Sequence, residues 1–215
     1  MSVEDRGWLK RNRWWLLALP VALALALASA AYRVNDFWFE NGWHRVDATV
    51  SQGQFVTTRA TVYSFDEKPT PADLRVRLGA VSSAAKLQDS FGSELPMPAG
   101  AVAVQVRLDF RAVKGKPAPY CTVFVVDDEG NRYAVTAIDG GTNPCPPPGF
   151  SYGDTTAPER WSRLVSAAVP KGATVREVRL GITWPDYVRM TLTEPQRAAD
   201  LPVGARSEQS MGADR

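Results

Sequence analysis

The stretch Ala101–Phe110 (AVAVQVRLDF) decides the fold, because polar and apolar side chains alternate along it. Apolar residues occupy every second position from Val102 to Phe110, while Arg107 and Asp109 lie between them. A repeat of two residues is typical of a β-strand with one face buried and the other in solvent. The sequence therefore predicts a half-buried strand here.

The same repeat recurs on both sides of this stretch. Leu74–Leu78 alternates in the same way, and Cys121–Val126 (CTVFVV) is apolar on both faces, as in a central strand. The turn residues Asp128–Asn131 come next and predict a hairpin with the strand that follows. Further strands are predicted at residues 46–50, 55–62, 132–137, 164–169, 175–184 and 188–193.

No helical stripe interrupts these strands, so the fold class is mainly β. Many short strands separated by Gly and Pro predict an antiparallel immunoglobulin-like β-sandwich over residues 44–195, with a closed barrel as the alternative. Residues 196–215 hold few large apolar side chains and are predicted to be a disordered tail.

The N-terminal segment has a different composition. Trp14–Ala31 carries no charge over 18 residues, which is the minimum length of a transmembrane helix. Residues 1–13 hold four basic and two acidic side chains, and the positive-inside rule places such a segment in the cytoplasm. We therefore expect a transmembrane helix over residues 14–32, with the sandwich outside the cytoplasm.

A cleaved signal peptide is the alternative, because Ala28–Ala30 (ASA) resembles a cleavage site. Both interpretations deliver the rest of the chain outside the cytoplasm. An uncleaved anchor accounts better for the aromatic juxtamembrane segment 33–43, since aromatic side chains collect at membrane interfaces. Its candidate interaction residues, which could pack against a partner's transmembrane region, are Phe37, Trp38, Phe39 and Trp43.

The only two cysteines, Cys121 and Cys145, predict a disulfide, because a pair outside the cytoplasm is usually oxidised. Two buried free thiols are the alternative. Next to Cys145, the run Pro146–Pro148 could present Phe150 and Tyr152 to a partner, or it could be a connector fixed by the disulfide.

Patterns that carry chemistry are weak. Gly149–Gly153 (GFSYG) matches the G-x-S-x-G motif, but no strand and helix flank Ser151, and His44, the only histidine, lies upstream. Asp127–Glu129 and Asp139 lack the spacing of a calcium loop. We therefore predict no catalytic residue, no metal site and no cofactor, and a net charge of +2 argues against a nucleic-acid partner.

Four stretches carry a resemblance to known proteins: Tyr32–His44, Cys121–Gly130, Val169–Gly172 and Trp184–Val188. Their order resembles that of uncharacterised membrane-anchored proteins of actinobacteria. It is also similar to telokin-like immunoglobulin modules of bacterial surface lipoproteins, although no lipobox cysteine lies near the N-terminus. The resemblance implies a fold and a location, and it transfers no catalytic residue.

Together these observations favour a single-pass membrane protein that is not an enzyme. We expect its extracytoplasmic sandwich to mediate interaction with another envelope or membrane protein. The alternative is a secreted or anchored domain that binds a small ligand or the cell wall, which predicts a concave pocket lined by several aromatic side chains.

Overall fold

A computed structural model of the chain describes residues 14, 18–29, 45–63, 69–112, 118–140, 143–148, 157–182 and 186–204. Within these ranges the side chains of residues 60–63 and 69–72 are not described. The chain divides into two compact units, Met1–His44 and Arg45–Arg215.

In the first unit, residues 18–29 form a helix whose side chains are all exposed. Among the described residues, no helix combines the length and the apolar character that crossing a membrane requires. The predicted span 14–32 is therefore described only in part. The juxtamembrane residues Phe37, Trp38, Phe39 and Trp43, together with His44, lie outside the described residues.

The second unit consists of β-strands, as the alternating patterns predict, followed by a short 3-10 helix, Ala198–Asp200. The strands are β1 (Arg45–Ser51), β2 (Phe55–Tyr63), β3 (Pro69–Ala84), β4 (Leu87–Gln88), β5 (Glu94–Leu95), β6 (Ala101–Ala112), β7 (Thr122–Asp127), β8 (Arg132–Ala134), β9 (Thr136–Ala137), β10 (Arg160–Pro170), β11 (Thr174–Gly181) and β12 (Asp186–Arg197).

Ten of these strands form two five-stranded sheets, and the β4–β5 hairpin stands apart. The first sheet has the order β1-β12-β11-β7-β8, and the second has the order β2-β3-β6-β10-β9. The hairpin predicted at Asp128–Asn131 joins β7 to β8, and Gly130 supplies the positive φ of 87° that its turn needs.

The predicted antiparallel arrangement is wrong at one edge of the first sheet. β1 and β12 run parallel, with Arg45 opposite Asp186 and Val50 opposite Met190, so the sheet is mixed. Alternation within a strand fixes which face is buried but says nothing about the direction of its neighbour, so the sequence pattern carried no information on this point.

The core confirms the alternation from which the fold was predicted. Val104, Val106 and Leu108 of β6 are fully buried, and so are Leu74 and Leu78 of β3. Burying a side chain of this size contributes roughly 1.5–3 kcal/mol relative to leaving it exposed. The two inner faces therefore supply most of the stabilisation of the sandwich, and the outer faces are left to carry charge.

The sandwich continues past the predicted boundary at residue 195, so the disordered tail is wrong for residues 196–204. β12 extends to Arg197, and Leu201, just after the 3-10 helix, is buried. Residues 201–204, here called the C-terminal strap, lie along the edge of β3. There Ser83 N–H donates to Pro202 O over 2.8 Å, and Gly204 N–H donates to Ser83 O over 2.9 Å.

Burial of Ala198 and Leu201 and pairing of backbone groups order residues 196–204. Neither effect is visible in the composition of this segment. Residues 205–215 lie outside the described residues.

Candidate functional site

The disulfide predicted between Cys121 and Cys145 is present, with the two Cα atoms 5.6 Å apart. Asn143 reinforces it, because its Oδ1 accepts the backbone N–H of Cys121 over 3.0 Å and that of Cys145 over 3.1 Å. Trp161 Nε1 donates to Cys145 O over 2.7 Å. Residues 143–148 are thereby fixed to the start of β7 and to β10.

The proline run belongs to this fixed connector. Pro146 and Pro147 are buried, and only Pro148 is exposed. Burial of the first two rings favours a connector fixed by the disulfide over a recognition segment that projects into solvent. The candidate interaction residues Phe150 and Tyr152, and also Ser151, lie outside the described residues.

A buried arginine completes the connector. Arg163 lies on the inner face of β10 with its side chain 1% exposed, and it forms an ion pair with Asp139 over 3.2 Å. Its Nη2 also donates to Gly140 O and Asn143 O. Burial lowers the pKa of Arg163 and raises the pKa of Asp139, in each case against the attraction of the other charge. The pair therefore orders the connector at an electrostatic cost.

The acidic cluster that follows β7 supports the hairpin. Asp127 is buried and accepts hydrogen bonds from Asn131 N–H over 2.8 Å and from Tyr133 Oη over 2.7 Å. Burial would raise the pKa of Asp127, but these hydrogen bonds outweigh it and the pKa is lowered. Burial and Asp127 raise the pKa of Tyr133 to about 12. The carboxylate is thus engaged within the protein, and no group of metal-ligating side chains occurs among the described residues.

The outer face of the first sheet has a closed network of charges. Glu177 accepts ion pairs from Arg179 over 2.6 Å and from Arg189 over 3.2 Å. The Arg179 guanidinium also lies 5.0 Å from the centre of the Tyr187 ring. Arg179 and Arg189 therefore share one carboxylate partner.

The outer face of the second sheet is different, and its central feature is a row of three arginines. Arg75 of β3 lies opposite Arg111 of β6, which in turn lies opposite Arg160 of β10. None of these three residues, here called the arginine row, has an ion pair with a described carboxylate. Like charges directly opposite each other destabilise a sheet, so the row is an uncompensated site.

Phe55 of β2 holds two members of this row. Its ring centre lies 4.3 Å from the Arg111 guanidinium carbon and 5.5 Å from that of Arg75. A cation–π contact attracts the guanidinium to the ring without bringing a negative charge to it. The ring therefore positions the arginines without neutralising them.

The adjacent row is more nearly balanced. Arg77 and Arg107 both form ion pairs with Asp109, over 2.8 and 3.0 Å, and Ser162 Oγ donates to the same carboxylate over 2.7 Å. Burial would raise the pKa of Asp109, but the hydrogen bonds from Ser162 and the two arginines lower it. Asp109 thus stays ionised and pairs with both guanidinium groups.

A cavity of about 480 Å³ opens beside the arginine row. Besides the three arginines, it is lined by Thr57, Asp73, Ala112 and Glu159. A second cavity, of about 250 Å³, has Tyr187 as its only aromatic residue among the described lining residues. Neither matches the aromatic pocket expected for a small-ligand domain, and the lining of the first includes three arginines, two carboxylates and one hydroxyl group.

Sequence reasoning placed Arg75 on the polar side of its strand but did not single out the arginine row. The signal was a set of arginines at outward positions in several predicted strands. Only the register between strands shows that three of them are neighbours.

Fold and site together define a disulfide-linked β-sandwich with one arginine-rich outer face. No protein-family model matches the chain, and the curated proteins contain no match. A similar solved structure is that of an uncharacterized β-sandwich protein from Clostridium difficile 630. It is 10% identical, with a TM-score of 0.41, and the match covers 69% of this chain and 95% of that chain.

Proposed function

We propose that the protein is a single-pass membrane protein, not an enzyme, whose immunoglobulin-like sandwich binds an anionic partner at the cell envelope. The observation that carries this proposal is the arginine row, because three neighbouring cations that have no ion pair with a described carboxylate form a surface that an external anion would stabilise. The network around Glu177 supports it by contrast, since Arg179 and Arg189 of the first sheet share a carboxylate partner.

The N-terminal helix supports membrane anchoring. Residues 18–29 are apolar apart from Ser29, and all their side chains are exposed. A helix that is apolar on every side is stable when protein or lipid covers it. The basic residues of segment 1–13 then favour a cytoplasmic N-terminus and an extracytoplasmic sandwich.

The composition supports a function in binding. His44 is the only histidine and precedes Ser151, so the chain has no downstream histidine to act as a general base for that serine. The cavity beside the arginine row favours a variant of the same proposal, in which the partner is a small anionic ligand or a component of the cell wall.

The anchor is tested by measuring the mass of the mature protein recovered from the membrane fraction. We expect the mass of the uncleaved chain. A mass that lacks residues 1–30 would overturn the anchor and replace it with a secreted form.

The binding face is tested by chemical crosslinking in intact membranes, followed by mass spectrometry of the products. We compare the wild type with Arg111→Gln, which interrupts the arginine row, and with Arg176→Gln, which removes an exposed arginine from β11. We expect the first variant to lose the heteromeric product and the second to keep it. Recovery of monomer alone from the wild type would contradict the proposal.

A further inference from the structure

We infer that the arginine row binds a phosphate monoester whose carrier bears hydroxyl groups, such as a phosphorylated polyol or sugar. The inference rests on the proposed function and narrows its anionic partner to one chemical class. It is argued from the number of donors, from their positioning and from the lining of the cavity.

The number of donors favours phosphate over carboxylate. A carboxylate brings one negative charge to the three positive charges of the arginine row, so two of those charges would stay unbalanced. A phosphate monoester brings close to two negative charges and three terminal oxygen atoms, so each oxygen can accept from a different side chain. Paired residues on adjacent strands lie about 5 Å apart, so the long side chains of Arg75 and Arg160 can reach a phosphate centred over Arg111.

Phe55 positions Arg111, so the site offers more to a ligand than an excess of positive charge. Surface arginines normally lose side-chain entropy when they bind an anion. The ring of Phe55, 4.3 Å from the Arg111 guanidinium, restricts that side chain before any ligand arrives. Part of the ordering is thus already in place, which strengthens binding.

The net charge of the face suits a doubly charged ligand. Seven arginines and five carboxylates lie on or beside this outer face among the described side chains, an excess of two positive charges. They are Arg45, Arg59, Arg75, Arg77, Arg107, Arg111, Arg160, Asp47, Asp73, Asp109, Glu159 and Asp186. A phosphate monoester carries close to two negative charges at neutral pH and leaves this face near neutrality.

The cavity indicates what the phosphate is attached to. Its volume of about 480 Å³ lies in the range of small-molecule sites, so it holds more than a bare phosphate. The lining away from the arginines consists of Thr57, Asp73 and Glu159, with Ala112 as its only apolar member among the described residues. Carboxylates and a hydroxyl are partners for the hydroxyl groups of a carrier, and they offer no stacking surface for a base.

The test measures binding to the full-length protein in a nonionic detergent by isothermal titration calorimetry. The probes are inorganic phosphate and glycerol 3-phosphate, with glycerol and acetate as controls. We expect both phosphates to bind and both controls to fail. Arg111→Gln weakens phosphate binding by about tenfold, or about 1.4 kcal/mol, while the matched variant Arg176→Gln leaves it unchanged.

A second variant tests the carrier. Glu159→Gln removes a negative charge and so affects both phosphates alike through electrostatics. If Glu159 accepts a hydrogen bond from the carrier, the variant also lowers the affinity for glycerol 3-phosphate relative to inorganic phosphate, by about threefold. If the ratio of the two affinities is unchanged in both Glu159→Gln and Asp73→Asn, the assignment of a hydroxyl-bearing carrier is overturned.

A lipid headgroup and a soluble ester share this chemistry, and nanodiscs separate them. The full-length protein is placed in phosphatidylcholine nanodiscs with or without phosphatidic acid, and glycerol 3-phosphate is titrated. Loss of binding in the presence of phosphatidic acid shows that a lipid phosphate occupies the arginine row. Undiminished binding assigns the site to a soluble ester. Both results support a phosphate monoester as the ligand.

Failure of this inference is distinguishable from failure of the proposed function. If neither phosphate binds but polyglutamate binds in a way that Arg111→Gln abolishes, the partner is a carboxylate polymer or protein and the phosphate site is overturned. If no anionic probe binds, both the inference and the anionic partner are overturned. Equal loss of phosphate binding in Arg111→Gln and Arg176→Gln also overturns the site, because it shows a general effect of charge.

Discussion

Replacing Arg163 tests whether a buried charge orders the connector at the end of β10. Arg163→Met keeps a long side chain of similar reach but removes the ion pair to Asp139 and the hydrogen bonds to Gly140 O and Asn143 O. Asp139→Asn removes the same ion pair from the other side, and its amide oxygen can still accept Leu164 N–H, a bond of 2.8 Å in the wild type. The two variants therefore separate the guanidinium's hydrogen bonds from the ion pair.

The structure sets the expected magnitudes. Removing one member of a buried ion pair typically costs about 3–5 kcal/mol, because the other charge is left unpaired. The Asp139 side chain is 22% exposed to solvent, so water can solvate it in part. We therefore expect Arg163→Met to lower the free energy of unfolding by about 3 kcal/mol. Asp139→Asn leaves the buried Arg163 guanidinium without its counter-charge but with its hydrogen bonds to Gly140 O and Asn143 O, and it also removes a carboxylate that burial disfavours. We therefore expect it to cost less than Arg163→Met, about 1–2 kcal/mol.

Urea unfolding of the full-length protein in detergent, followed by circular dichroism, measures both effects. Burial raises the pKa of Asp139 above 3.8, so the folded protein binds this proton more tightly than the unfolded chain does. The wild type therefore loses stability relative to Asp139→Asn as the pH rises from 3.8 through the folded-state pKa. If Arg163→Met were as stable as Asp139→Asn, the hydrogen bonds of the guanidinium would not order the connector, and the reasoning would be refuted.

Three further predictions concern other parts of the sandwich. Replacing Cys121 and Cys145 by alanine is expected to lower the free energy of unfolding by about 3.5 kcal/mol, since the disulfide closes a loop with a sequence separation of 24. Urea unfolding with and without reductant measures this change, and a wild type whose free energy of unfolding is the same in both conditions would contradict it. Tyr133→Phe is expected to remove a phenol that ionises at about pH 12, detected by ultraviolet absorbance, and an unchanged titration would show that another tyrosine is responsible. Gly204→Ala is expected to loosen the C-terminal strap, because a Cβ there would lie 2.7 Å from Ser82 Oγ. Faster hydrogen exchange at the Ser83 amide reports this, and wild-type protection would count against it.

Much of the fold could be predicted because burial and strand periodicity are local. The apolar side of β6 followed from the spacing of Val104, Val106 and Leu108 alone, and all three are fully buried. The disulfide was also predictable, because the chain has only two cysteines. The parallel pairing of β1 and β12 was not, since a strand's residues do not encode the direction of its neighbour.

The candidate site depends on information between strands, which a single sequence does not display. Arg75, Arg111 and Arg160 are unremarkable outward residues taken one by one. They become a site only because the register places them side by side and places Asp109 one row away. Arg163 was missed for a related reason, because its strand was predicted to begin at residue 164 and a charge on an inner face contradicts the usual pattern.

The parallel pairing of β1 with β12 also constrains how the sandwich folds. Arg45 and Asp186, which form an ion pair at one end of these strands, are 141 residues apart in sequence. Contacts between such distant residues form slowly, because a long loop must close, at a cost in entropy, before the contacts can stabilise the fold. During synthesis β1 therefore stays without its neighbour, and its hydrogen-bonding edge remains open to other chains until residues 186–197 have been made.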